Sequence, residues 1–174
     1  MGPKITPTNR EVTFRPDEII VSKTDLKGRI TYANRTFSQV AGYSRDELMG
    51  QPHSIIRHPD MPRAVFKLLW DQLAEEKEVF AYVKNMTRHG DFYWVFAHVT
   101  PSYDAARRVV GYHSNRRVPD RKVITEVMAP VYADLLKIEA SHANAKDGMK
   151  ASFARLLDIV KSKANSYDEL IFAL

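Results

Sequence analysis

The chain has 174 residues, 44% of them hydrophobic and 27% charged, which suits one globular domain with an appendage. It contains no cysteine, so disulfides, thiolate nucleophiles, flavin–cysteine adducts and cysteine-ligated zinc are excluded. The net charge of +5 is spread over interspersed acidic and basic residues and marks no nucleic-acid surface. No run approaches the roughly 18 consecutive apolar residues of a membrane span, and the polar, proline-containing start is not a signal peptide. The expectation is a soluble, cytoplasmic protein without direct membrane insertion.

In chain order, residues 1–17 carry Pro3, Pro7 and Pro16 without a period and read as an N-terminal cap or tail. Ile19, Ile20 and Val21 predict a strand, Asp25-Leu26-Lys27-Gly28 a turn, and Ile30 with Tyr32 a second strand of a hairpin. Asn34 can cap a helix carrying Phe37, Val40 and Ala41, which Gly42 ends. Ser44 to Glu47 forms a capping box for another short helix. Residues 53–62 are an irregular, proline-bracketed stretch. The stripe Val65, Phe66, Leu69, Trp70 and Leu73 predicts a long helix over 62–76. Strands follow over 79–87, 92–101 and 108–117, joined by turns at His89-Gly90-Asp91 and at 104–107.

Residues 18–118 therefore predict an α+β domain: a five-stranded antiparallel sheet with short helices on one face. Residues 119–174 predict a C-terminal helical extension. Its first helix carries Val123, Val127, Val131, Leu135 and Ile138, with a kink expected at Pro130. Its second carries Met149, Phe153, Leu156, Leu157 and Val160. Ser166 and Glu169 cap a short apolar end. The basic cluster from Arg116 to Lys122 reads as a charged hinge.

The strand alternation sets two faces. Val79, Ala81, Val83 and Asn85, then Tyr93, Val95 and Ala97, then Val109, Gly111, His113 and Asn115 are read as the inner face. The other face gathers Phe80, Tyr82, Phe92, Trp94 and Phe96. An apolar patch of that size needs a cover: the N-terminal cap, the C-terminal helices, a second copy in a homodimer, or a partner.

The runs Thr24-Asp25-Leu26, Ile30-Thr31-Tyr32-Ala33-Asn34, Gly50-Gln51-Pro52-His53, Arg57-His58-Pro59-Asp60-Met61-Pro62, Val83-Lys84-Asn85 and Gly90-Asp91-Phe92-Tyr93-Trp94-Val95 resemble the PAS domain of bacterial aerotaxis receptors. The resemblance covers more than half of the chain. It departs at Val79-Phe80, where the receptors carry a Trp, and at His113, where they carry an apolar residue. It implies a PAS fold and a non-enzymatic redox sensor that binds FAD without a covalent bond. It further implies a short form that reports to a separate chemotaxis receptor or signalling protein.

On that reading a flavin ring needs a flat apolar slot, its polar edge needs donors, and its diphosphate needs cations or N–H groups. The candidate cofactor-binding residues are Asn34, Arg57, His58, Asp60, Trp70, Asn85, Tyr93 and His113. Asn85 and His113 fall where light-sensing PAS relatives place an Asn and a Gln against the ring. Arg57 would meet the diphosphate or ribityl chain, Asp60 would cap the next helix or orient His58, and Trp70 would stack on the ring or simply fill the core. An Arg57–Asp60 ion pair holding the loop is the structural alternative. Two rival readings stay open. One is a haem b gas sensor ligated by His53, His58 or His113, although the helix over 62–76 holds no His. The other is a cofactor-free adaptor whose cavity is filled by its own side chains. No catalytic triad, carboxylate pair or phosphate-binding glycine loop points to an enzyme.

Overall fold

The computed structural model describes residues 5–174. Strands β1 (Ile20–Thr24) and β2 (Ile30–Ala33) form the expected hairpin, and β3 (Val79–Met86), β4 (Phe92–Tyr103) and β5 (Val109–Arg117) form a meander. All pairs are antiparallel, in the order β2-β1-β5-β4-β3. The first and last strands in sequence thus meet in the middle, where β1 pairs with β5 from Ile20–Arg116 to Thr24–Tyr112. Between β2 and β3 run α1 (Arg35–Ala41), α2 (Arg45–Leu48), a 3-10 turn (His53–Ile56) and α3 (Arg63–Ala74).

The punctuation follows side-chain chemistry. Asn34 Oδ1 accepts the Phe37 N–H at 2.9 Å, Gly42 closes α1 at φ +75°, and Ser44 and Glu47 make both bonds of a capping box. Phe37, Ile30, Leu48, Ile56 and Val65 then bury their side chains against Ile20, Val79 and Val95 of the sheet.

The extension consists of α4 (Arg121–Val123), a π-helical stretch (Ile124–Met128), α5 (Ala129–Ala140), α6 (Ala145–Lys163) and α7 (Tyr167–Phe172). Pro130 stands in the first turn of α5, just after the π-helical stretch, so the backbone adjusts before the proline.

These helices cover the aromatic face of the sheet. The Tyr132 ring stacks on Trp94 at 6.1 Å, and its hydroxyl donates to the Tyr82 carbonyl at 2.6 Å. Phe172 packs edge-on to Phe80 at 4.6 Å. Val12 and Phe14 of the N-terminal segment pack against the same core, and residues 1–4 of that segment lie outside the described residues. Of the covers the sequence left open, the chain itself supplies two. Among the described residues no helix is long and apolar enough to cross a membrane.

Candidate functional site

Between the inner face of the sheet and α3 lies a cavity of about 300 Å³. That is the lower end of small-molecule sites, roughly 300–1,000 Å³. Ile56, Phe66, Leu69 and Leu73 wall one side, and Val83, Ala97 and Val99 the other. The lining residues most exposed to solvent are Lys27, Pro52, Ser54 and Trp70, and they mark the opening. Trp70 is 41% exposed and meets Tyr112 edge-on at 5.4 Å. Gly28 faces it at φ +74°, where a Cβ would stand 3.4 Å from the indole.

The polar end of the cavity is built from β1, β5 and the 3-10 turn. Arg116 is only 2% exposed. Its Nη2 donates to Ser22 Oγ at 2.6 Å, while Nε and Nη1 are buried without a partner. Ser22 Oγ lies 3.1 Å from His53 Nε2. Phe37 backs both groups, with the Arg116 guanidinium 4.4 Å from its ring centre and the His53 ring stacked at 5.9 Å.

Burial, and then the Arg116 charge, push His53 down to about 3, so the ring is neutral near neutrality. Burial pushes Arg116 down to about 10, which leaves it charged. No carboxylate lines the cavity among the described residues. A buried guanidinium with two unpaired nitrogens and no counter-ion suits a ligand edge rich in acceptors.

Three of the sequence candidates reach this space. Asn85 lines it and is 4% exposed, Arg57 lines it beside Phe66, and Trp70 stands at its opening. An antiparallel bridge between Arg57 and Asn85 fixes their relative height. The Arg57 guanidinium sits 3.7 Å over the Phe66 ring, with Nε buried and unpaired.

The other candidates do not line it. Asn34 is spent on structure: Oδ1 accepts from Val21 and Phe37, and Nδ2 donates to the Ile19 carbonyl at 2.8 Å. The chain rounds the β3 edge at residues 57–61, so Arg57 stays on the cavity side while His58 and Asp60 pass to the other. His58 meets Phe92 edge-on at 6.1 Å, and its Nδ1 accepts the Asp60 N–H at 3.1 Å. Asp60 takes Lys84 at 2.6 Å, not Arg57, so the loop ion pair offered by the sequence has a different cation. Tyr93 is fully buried on the inner face but away from the cavity lining, and burial raises its hydroxyl far above the ordinary range.

His113 is a correction of face. In β5 the inward residues are Tyr112, Ser114 and Arg116, because Ser114 pairs with Val99 and Arg116 with Ala97. His113 and Asn115 point outward and contact one another at 3.1 Å. The register shift that sets Ser102 opposite Gly111 but Tyr103 opposite Val109 leaves an extra residue in β5, so an alternation counted from Val109 changes face before His113.

A meander closed by a central β1–β5 pair, with short helices and α3 enclosing one cavity, defines a PAS fold. A family model described as PAS fold matches residues 30–116, and the chain belongs to that family. The aerotaxis receptor of Escherichia coli K12 is 40% identical over 129 residues, which cover 74% of this chain and 25% of the receptor. The biofilm dispersion protein BdlA of Pseudomonas aeruginosa is 30% identical over 87 residues, 49% of this chain and 21% of that protein. The chain spans about a quarter of the length of these relatives. Among solved structures, the dark state of the blue-light photoreceptor Aureochrome1 LOV superposes with a TM-score of 0.55 at 22% identity, over 69% of this chain and 86% of that one.

The polar end fits the flavin that the resemblance implies. The unpaired Nε and Nη1 of Arg116 can serve the acceptor-rich edge of such a ring, the Asn85 amide lines the same cavity, and the apolar walls can take a planar ring. It fits haem less well. Of the three histidines considered as iron ligands, only His53 lines the cavity, and its Nε2 is engaged by Ser22.

Proposed function

We propose that this chain is a cytoplasmic, non-enzymatic sensor for energy taxis that holds FAD without a covalent bond and reports to a separate chemotaxis receptor. The observation that carries the reading is Arg116: a buried cation with two unpaired nitrogens and no carboxylate in its cavity. Bound there, a flavin would supply reversible electron uptake. Arg116 and Asn85 would hold its polar edge, and the Phe66–Leu73 side of α3 would exclude water from the ring. At about 300 Å³ the cavity is sized for the ring end, so the diphosphate would follow past Arg57 and the adenosine would leave by the opening at Lys27 and Trp70.

Support for the taxis role comes from the 40% identity to the aerotaxis receptor. A change of charge in the cavity would alter what Arg116 and its Ser22–His53 chain must balance. A buried polar group left unsatisfied costs about 1–3 kcal/mol, enough to shift a conformational equilibrium. Absorption spectra of the purified chain, followed by mass determination of the released cofactor, test the proposal. Flavin bands and a mass of FAD are expected. A Soret band, or colourless protein that takes up no added FAD, overturns it. A receptor partner that binds the oxidised and reduced forms equally well removes the signalling half.

A further inference from the structure

Helix α3 is shared between the cavity and the C-terminal helices. Phe66, Leu69, Trp70 and Leu73 line the cavity. Away from it, Lys67 Nζ lies 4.8 Å from the centre of the Phe153 ring of α6. The start of α3 is under-capped, because Pro62 at the cap position has no side-chain oxygen for the first-turn N–H groups. Glu139, at the end of α5, fills that role. Its Oε1 accepts the N–H of Ala64, a residue with no exposed surface, at 3.1 Å. The Glu139 backbone is held in turn by α6, which crosses at Gly148. A Cβ on Gly148 would stand 2.5 Å from the Glu139 carbonyl oxygen. Helices α3, α5 and α6 therefore meet at one residue, α3 at its carboxylate and α6 at its backbone.

Arg57 ties this junction to the cavity. It lines the cavity, its Nε is buried and unpaired, and its guanidinium lies 3.7 Å over the ring of Phe66, two residues along α3 from the Ala64 N–H that Glu139 caps. Burial and then Arg63 disfavour its charge, and the Glu139 carboxylate opposes them. We propose that Glu139 is a latch: it holds the first turn of α3 to α5 and α6 while Arg57 is unengaged, and a ligand that occupies Arg57 with an anionic group loosens it. The physical reason is charge. The Glu139 carboxylate is drawn to the helix N-terminus and to the guanidinium beyond it. A ligand anion at Arg57 cancels one attraction and adds a like charge. The extension then detaches from the helix that walls the cavity, which links occupancy to the part of the chain covering the outer sheet face. The latch itself rests on the geometry above, and only the identity of the ligand rests on the flavin reading.

Amide hydrogen exchange on the full chain, with and without FAD, tests this in the wild type, Glu139→Gln and Glu139→Ala. In the wild type, FAD is expected to speed exchange severalfold at Ala64 and across residues 129–163. Without FAD, Glu139→Ala is expected to exchange at Ala64 as fast as the loaded wild type. Glu139→Gln keeps an acceptor oxygen but no charge, so it is expected to protect Ala64 and ignore FAD. The latch is overturned if FAD binds by its spectrum and Ala64 does not respond, or if Glu139→Gln responds like the wild type. If FAD does not bind at all, the flavin reading fails and the ligand-driven half falls with it. The cap is then overturned if Ala64 exchange in ligand-free Glu139→Ala equals the wild type.

Discussion

Arg116 Nη2 donates to Ser22 Oγ at 2.6 Å across the β1–β5 pair, from a position 2% exposed to solvent. This one bond leaves two of the guanidinium's nitrogens unpaired in the protein interior. Folding gains little from such an arrangement, because a buried ion without a counter-ion is costly. On the proposed function, its use is the ligand it would receive.

Replacing Arg116 with Met should therefore move stability and ligand binding in opposite directions. An apolar side chain of similar length removes the desolvated charge, and exchanges of this kind are neutral or stabilising by about 1–4 kcal/mol. The same change deletes charge-assisted hydrogen bonds worth about 1.5–3 kcal/mol each, so FAD affinity should fall at least ~10-fold. Thermal melting of the ligand-free protein and a fluorescence titration with FAD check the pair of signs. A ligand-free variant that melts well below the wild type would show that Arg116 serves the fold.

His53 should make the ligand-free protein acid-sensitive over a defined window. Its folded value lies near 3 and its ordinary value at 6.5, so between these two the unfolded chain binds the extra proton. The stabilisation is complete above pH 6.5 and is lost as pH falls toward 3. The slope from this one group approaches about 1.4 kcal/mol per pH unit inside the window. Denaturant melts at several pH values, wild type against His53→Gln, measure it. The variant should show the flatter profile between pH 6 and 4, within the same window.

Much of the fold was legible because its signals are local. Asn34, Gly42 and the Ser44–Glu47 box announce their helix ends, and the alternation in β3 and β4 names the inner face correctly. The polar end of the site was not legible. Around a cavity the inner face of β5 is Tyr112, Ser114 and Arg116, which carries no apolar alternation to count. The register shift at Ser102/Tyr103 then reversed its parity. Arg116 also sits beside the exposed Arg117, so composition cannot tell a buried guanidinium from a hinge charge. His58 and Asp60 share a motif with Arg57, yet the turn round the β3 edge separates them, and contiguity in sequence says nothing of that.

Tyr132 holds the extension to the sheet by a bond that a hydrophobic contact cannot replace. Its hydroxyl donates 2.6 Å to the Tyr82 carbonyl on β3, an edge strand, and both residues are buried. Tyr132→Phe keeps the stacking on Trp94 but leaves that carbonyl unpaired. A loss of about 1–2 kcal/mol is expected, with faster amide exchange in β3 and α5. Chemical denaturation read by Trp fluorescence gives the first. A variant as stable as the wild type would mean that stacking alone anchors the extension.

Asp91 anchors the other cover, the N-terminal segment. It accepts Thr8 Oγ1 at 2.6 Å and Arg10 Nε at 2.9 Å, and Arg10 with Thr8 accordingly holds its carboxyl below the ordinary range. Gly90 makes the approach possible: at φ +88° it lies so close to the Thr6 carbonyl that a Cβ would meet the oxygen at 2.1 Å. The segment then bridges Glu11 to Phe92, alongside the start of β4, where β5 no longer runs because it ends at Arg117 opposite Phe96. Asp91→Ala and Gly90→Ala attack the same contact from opposite sides. Both should release residues 8–15, speed tryptic cleavage after Arg10, and expose Trp94, which Val12 and Phe14 help to cover. The contribution of Asp91 requires its carboxylate. It is present at neutral pH and fades as pH falls through the depressed folded value, so acid should mimic the variants. If cleavage at Arg10 is as slow in both variants as in the wild type, the segment is held by its apolar contacts and not by Asp91.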